Sequence, residues 1–158
     1  MAAIDVRTSL CALLLILAAQ LSFAAAGGQY KTVAGMSVYV GVLPAEMLLG
    51  HPKGHHEREM HGGVPGGASR HHVVVALFET ASGRRIANAK VKVKVSASSP
   101  GMATSQARTE PMLINGMTTY GAYVTLPGPG PYKIRAEIKR PDADKAAEVE
   151  LDYPFSRD

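Results

Sequence analysis

The sequence predicts an immunoglobulin-like β-sandwich of about seven antiparallel strands. Three observations lead there. Apolar residues recur with a period of two in segment after segment. Gly, Pro, Ser and Asp clusters separate the segments. No stretch beyond residue 26 carries a convincing helical period. Each strand therefore has one apolar face, and two sheets packed face to face bury those faces most simply.

The first 26 residues read as a secretory signal peptide that is absent from the mature protein. Arg7 supplies the positive start, residues 10–17 a short apolar core, and Ala24, Ala25 and Ala26 a small-residue cleavage site, with Ser22-Phe23-Ala24 as a second option. The apolar run is too short to cross a bilayer. Residues 27–158 fit one domain. The single cysteine, Cys11, lies inside the leader, so the domain has no thiol. Disulfides, thiolate nucleophiles and cysteine-type zinc sites are thereby excluded. This leader predicts a periplasmic location.

In the domain, residues 36–42 alternate and form a half-buried strand, which Pro44 ends. Residues 72–78 form a β-branched run, expected as a central, well-buried strand. Residues 90–95 set Val91, Val93 and Val95 on one face and Lys90, Lys92 and Lys94 on the other. Residues 100–110 read as irregular. A strand at 120–126 follows, then a rigid Pro/Gly turn at 127–131. Residues 132–139 and 147–153 alternate strictly. They are expected to pair as a hairpin, with a basic outer face against an acidic one.

The net charge is +4, and the basic residues are spread along strands rather than clustered. Nucleic acid is not an expected partner. No nucleophile elbow or phosphate-binding glycine loop is present, so the chain is not expected to be an enzyme.

The stretch at about 48–70 has neither strand nor helix period and is longer than most loops in compact domains. Such loops are usually functional or disordered. All six histidines lie between His51 and His72, together with Met60. Imidazole suits Cu(II), Zn(II) and Ni(II), and thioether sulfur favours Cu(I). A domain offering both without thiolates is suited to copper. The competing reading is a solvated polar loop on a structural or protein-interaction module of the cell envelope. His51, His55, His56 and His61 lie among glycines and would lose entropy on closing around an ion. His71 and His72 stand at a strand entry, which gives a rigid mount, although alternation lets only one of them face a given site. Met36 fits the core of its strand. Met102 follows a Pro-Gly turn and is a further donor candidate.

Two family resemblances rest on particular residues. The Ser82-Gly83 turn, the Ala89-Lys90-Val91 strand start, Pro100-Gly101-Met102 and Tyr120-Gly121-Ala122-Tyr123 resemble the YtkA-like and FixH-like group of small extracytoplasmic domains, associated with copper handling or oxidase assembly. A second set is similar to the Tp34 and P19 type of periplasmic iron-transport proteins, which bind copper through Met, His and acidic side chains. That set is Pro44-Ala45-Glu46-Met47, His71-His72, Glu110-Pro111-Met112, Tyr120-Gly121 and Pro131-Tyr132-Lys133-Ile134. This chain has Thr119 where that family tends to place a histidine. The resemblances imply a copper carrier, chaperone or metal-uptake accessory, with zinc or iron as other cargoes. They add Met47 and Met112 to the ligand candidates. The partners they imply are a membrane transporter or an oxidase-assembly protein, and they admit a homodimer.

Overall fold

A computed structural model describes residues 29–98 and 104–155. The leader at 1–26 and the turn carrying Met102 lie outside the described residues. Two antiparallel sheets form the sandwich. One contains β1 (Tyr30–Val33), β2 (Met36–Pro44), β3 (Arg70–Glu79), β6 (Glu110–Ile114) and β7 (Met117–Thr125), in the order β1-β2-β3-β7-β6. The other contains β4 (Lys90–Ala97), β5 (Thr104–Arg108), β8 (Gly130–Lys139) and β9 (Ala147–Phe155), in the order β5-β4-β8-β9.

The sandwich is therefore the expected one, with more strands than anticipated. The segments read from the sequence are β2, β3, β4, β7, β8 and β9. The additional strands are short. β5 lies in the stretch expected to be irregular, because Thr104–Arg108 has no large apolar residue on either face and its period carries little contrast. β6 joins β7 through Asn115 and Gly116, both at positive φ (50° and 75°). That is the backbone a two-residue hairpin turn needs, and Asn-Gly is its favoured sequence.

Alternation determines what is buried. Val91, Val93 and Val95 of β4 meet Val38, Val75 and Leu77 of the facing sheet in one core, together with Tyr120, Ile134 and Leu151. The Tyr120 hydroxyl closes one end of this core. It donates to Ile86 O at 3.1 Å and accepts from Ala89 N at 2.9 Å. The β8–β9 hairpin pairs charges as expected. Lys133 Nζ lies 3.0 Å from Asp152 and 3.1 Å from Glu150, and Arg135 lies 2.9 Å from Glu150.

β3 pairs with β2 on one side and β7 on the other, which explains its continuous apolar character. Val73, Val75 and Leu77 point into the sandwich. The His72 end of its outer face is covered by the segment that follows β2, while Val74, Ala76 and Phe78 stay half-buried. That segment is not a featureless loop. It comprises a 3-10 turn (Ala45–Gly50), a one-turn helix α1 (His56–Glu59) and a second 3-10 turn (Met60–Gly62). Elements this short show no sequence period, and packing rather than propensity holds them. Ala45, Leu48 and Met60 make a second small core with Met112 and Tyr123.

Leu77 is fully buried between the sheets. Leu77→Ala is expected to lower the unfolding free energy by about 2–5 kcal/mol, read by urea denaturation. A loss below about 1 kcal/mol would contradict a tightly packed core at this position.

Candidate metal centre

Strand alternation divides the adjacent histidines of β3. His71 points into the sandwich, where its ring meets Phe155 edge-on at 4.8 Å and its Nδ1 lies 3.1 Å from Ser69 O. His72 points the opposite way, under the roof formed by the 45–62 segment. It is 0% exposed, and neither ring nitrogen has a hydrogen-bond partner. Buried polar atoms are nearly always paired, so a doubly orphaned imidazole calls for an explanation.

The surroundings of Gly121 provide one. In the ladder, His72 is opposite Tyr123 and Met112 is opposite Thr119. Both are thus diagonal neighbours of Gly121 on the same sheet face. Met60 reaches the position from the roof. A β-carbon on Gly121 would lie 2.6 Å from His72 Nε2, 2.7 Å from Met60 Sδ and 2.8 Å from Met112 Sδ. Gly121 has no positive φ, so the backbone does not require glycine there. The space does, because three donor atoms, one imidazole nitrogen and two thioether sulfurs, converge on it from three elements.

Electrostatics keep His72 ready to bind. Burial, with the nearby imidazoles of His61 and His51, pushes its pKa from 6.5 down to about 4. The ring is neutral at ordinary pH, and a histidine ligand must be neutral. Tyr123 lies beside it with ring centroids 5.5 Å apart, and its hydroxyl donates to Glu57 O at 3.2 Å. Burial raises the phenol's pKa, and the charge of Glu57 raises it further.

His61 stands at the edge of this hollow. Its backbone is left-handed (φ 53°), a conformation uncommon outside glycine. Glu110 holds it there twice. One carboxylate oxygen accepts from His61 N at 2.8 Å, and the other lies 3.0 Å from Nδ1. The remaining nitrogen, Nε2, lies 3.4 Å from Gly121 O, facing the hollow. A carboxylate on one nitrogen of an imidazole, with the other turned toward the site, is the arrangement that orients metal-binding histidines.

The structure thus gathers His72, Met112, Met60 and His61. His51 and His55 form a separate group with Glu57. His71 is on the opposite face of β3. His56 is exposed, and Met47 is 62% exposed on the roof, because the 3-10 turn directs Leu48 inward in its place. Sequence reasoning did not single out Gly121, Glu57, Glu110 or Tyr123 as site residues. Only Gly121 carried a local signal, since a glycine inside a strand often marks a close approach.

A β-sandwich whose roofed outer face gathers imidazole and thioether donors has the make-up of a metal-handling protein. The chain belongs to the Fe2+ transport protein family, which matches it over residues 28–152. This agrees with the Tp34/P19-type resemblance rather than the YtkA-like one. Among solved structures, it is similar to a copper-bound variant of FetP from uropathogenic Escherichia coli strain F11. That match has 16% identity and a TM-score of 0.60, and covers 82% of this chain and 95% of that one. Copper-reconstituted P19 from Campylobacter jejuni matches with 14% identity and a TM-score of 0.59, covering 82% and 94%. These likenesses establish the fold. No curated protein matches significantly. Among the described residues, no helix is long and apolar enough to cross a membrane.

His72 makes stability depend on pH with a definite sign. Its folded pKa, about 4, is below its unfolded value of 6.5, so the unfolded chain takes up a proton that the folded one refuses. The stability is fully present above the unfolded pKa and is lost as pH falls toward 4, by about 3 kcal/mol in all. Urea unfolding of metal-free protein should show this loss in wild type relative to His72→Leu. Parallel pH profiles for the two proteins would contradict a neutral, buried His72.

Proposed function

We propose that this protein binds copper in the periplasm and serves as a carrier, chaperone or uptake accessory rather than as an enzyme. One observation carries the reading: His72, buried with both nitrogens unpartnered, shares the space over Gly121 with the sulfurs of Met60 and Met112. An imidazole with two thioethers is a soft donor set, and it favours Cu(I) over the harder Fe2+. Periplasmic location is supported by the leader at 1–26, and a transporter partner by membership of an Fe2+ transport family.

The donor set also accounts for Thr119. It is buried opposite Met112 on the outer face, where the Tp34/P19-type pattern would supply an imidazole. In this chain the roof supplies Met60 and His61 to the same hollow. The metal is cargo, held by His72, Met60 and Met112, with His61 positioned by Glu110 at the edge. His72 needs no deprotonation before binding at neutral pH. The thioethers carry no charge, so capture of a cuprous ion adds only one positive charge to the buried site.

Competition titration of metal-free protein against a chromogenic Cu(I) chelator tests this. Wild type should take up one Cu(I). His72→Ala, and the volume-conserving Met60→Leu and Met112→Leu, should each weaken binding by at least about tenfold. Gly121→Ala should do the same by displacing all three donors. Preference for Fe2+ or Zn2+ over Cu(I), or Cu(I) affinity indifferent to these changes, would refute the assignment. Glu110→Gln should reduce affinity by about 10–100-fold if His61 is a ligand that Glu110 orients.

A further inference from the structure

The two halves of the outer face of the β5-β4-β8-β9 sheet differ in charge. Val91, Val93 and Val95 of β4 point into the core, so Lys90, Lys92 and Lys94 point out. The ladders then set like charges directly opposite one another. Lys90 faces Lys139 and Lys94 faces Arg135 across β8, and Lys92 faces Arg108 across β5. Like charges in such positions are destabilising. The β8–β9 half of the same face instead sets Lys133 against Asp152 and Arg135 against Glu150. On the β4–β5 half every charged residue is a cation.

These cations are largely unanswered. Lys90, Lys94 and Arg108 are exposed. Of the β4–β5 cations only Lys92 has an ion pair among the described residues, with Glu137 at 2.9 Å. Alternate residues of a strand are about 7 Å apart and neighbouring strands about 5 Å. Both spacings are inside the screening length of about 10 Å at 0.1 M salt, so the charges act together. Cations on an edge strand can serve merely to block further pairing. That accounts for Arg108 on β5 and not for Lys90 and Lys94, because β4 lies inside the sheet.

The chemistry of the patch selects its partner. Ser96, Thr104 and Gln106 complete it, and no large apolar or aromatic side chain interrupts it. Protein-binding surfaces carry aromatic, Met and Arg anchors and are poor in lysine. A lysine-rich sheet face without such an anchor suits a surface of diffuse negative charge. We infer that this face docks the protein on a bilayer containing anionic phospholipid. Each Lys or Arg brought to an anionic leaflet strengthens binding by about fivefold. The hollow over Gly121 is on the outer face of the other sheet, so a docked molecule presents it away from the lipid. In the sequence the patch is dispersed, because a period of two interleaves its lysines with core valines.

Co-sedimentation of the mature protein with vesicles tests this. Wild type should bind vesicles of equal parts phosphatidylglycerol and phosphatidylcholine, and not vesicles of phosphatidylcholine alone. About 1 M NaCl, where the screening length is about 3 Å, should release it. Lys94→Gln should weaken binding by about fivefold, and Lys90→Gln, Lys94→Gln and Arg108→Gln combined by on the order of a hundredfold. Lys31→Gln changes the net charge as much as Lys94→Gln, but it lies exposed on β1 of the other sheet. It should alter binding by less than about twofold. The urea midpoint of the triple variant should hold or rise, since repulsion is removed. If it falls, the single Lys94→Gln variant decides. Failure to bind the anionic vesicles, binding that persists in high salt or on phosphatidylcholine, or equal losses in Lys31→Gln and Lys94→Gln would overturn the proposal. Capture by soluble polyglutamate without vesicle binding would also overturn it and assign the face to an acidic protein. None of these readouts depends on metal.

Discussion

The structure depends on covering the outer face of β3 and β7. A central strand of an antiparallel sheet can leave one face in water; β3 leaves Val74, Ala76 and Phe78 half-buried but covers its His72 end completely. His72 and Tyr123 require a roof, and the 45–62 segment provides it by packing Ala45, Leu48 and Met60 onto Met112 and Tyr123. This single packing event buries His72, removes water from its two nitrogens and brings a second thioether to the first. Without the roof, His72 would be an ordinary exposed histidine. With it, the imidazole is held neutral and unpaired.

Two kinds of support act on the same place. The sheet supplies rigid positions, with His72 and Met112 fixed as cross-strand diagonals of Gly121. The roof supplies adaptable ones, since Met60 and His61 sit on short turns held by side-chain contacts, above all by Glu110. A site shared between a rigid element and a short turn can hold an ion and still open to release it. That combination suits a carrier better than a storage site closed on all sides.

Charge is arranged to match. The basic residues of β8 are answered by acidic residues of β9 far from the hollow, which keeps the fold's ionic pairs away from the cargo. Near the hollow two carboxylates, Glu110 and Glu57, are turned to imidazoles. Negative charge beside neutral donors favours a cation without placing a hard ligand in the soft set.

The sandwich was legible in the sequence because a period of two leaves a mark on every strongly amphipathic strand. β2, β4, β8 and β9 carry it, β3 shows instead as a β-branched run, and the charge pattern of β8 and β9 even pointed to their pairing. β5 escaped because neither of its faces carries a large apolar residue. β6 escaped although Asn115-Gly116 was there to be read as a hairpin turn. Histidine clustering and the strand mount directed attention to His72, and alternation required His71 and His72 to separate. The sequence could not say which of the two would face the donors. It also could not show that Met60 rather than Met47 would turn inward, or that Gly121 would be the hollow they share. Those outcomes are set by how a period-free segment of short turns packs on a sheet. Donor identities are therefore a property of the sequence, whereas their convergence is decided only by tertiary contacts between residues distant along the chain.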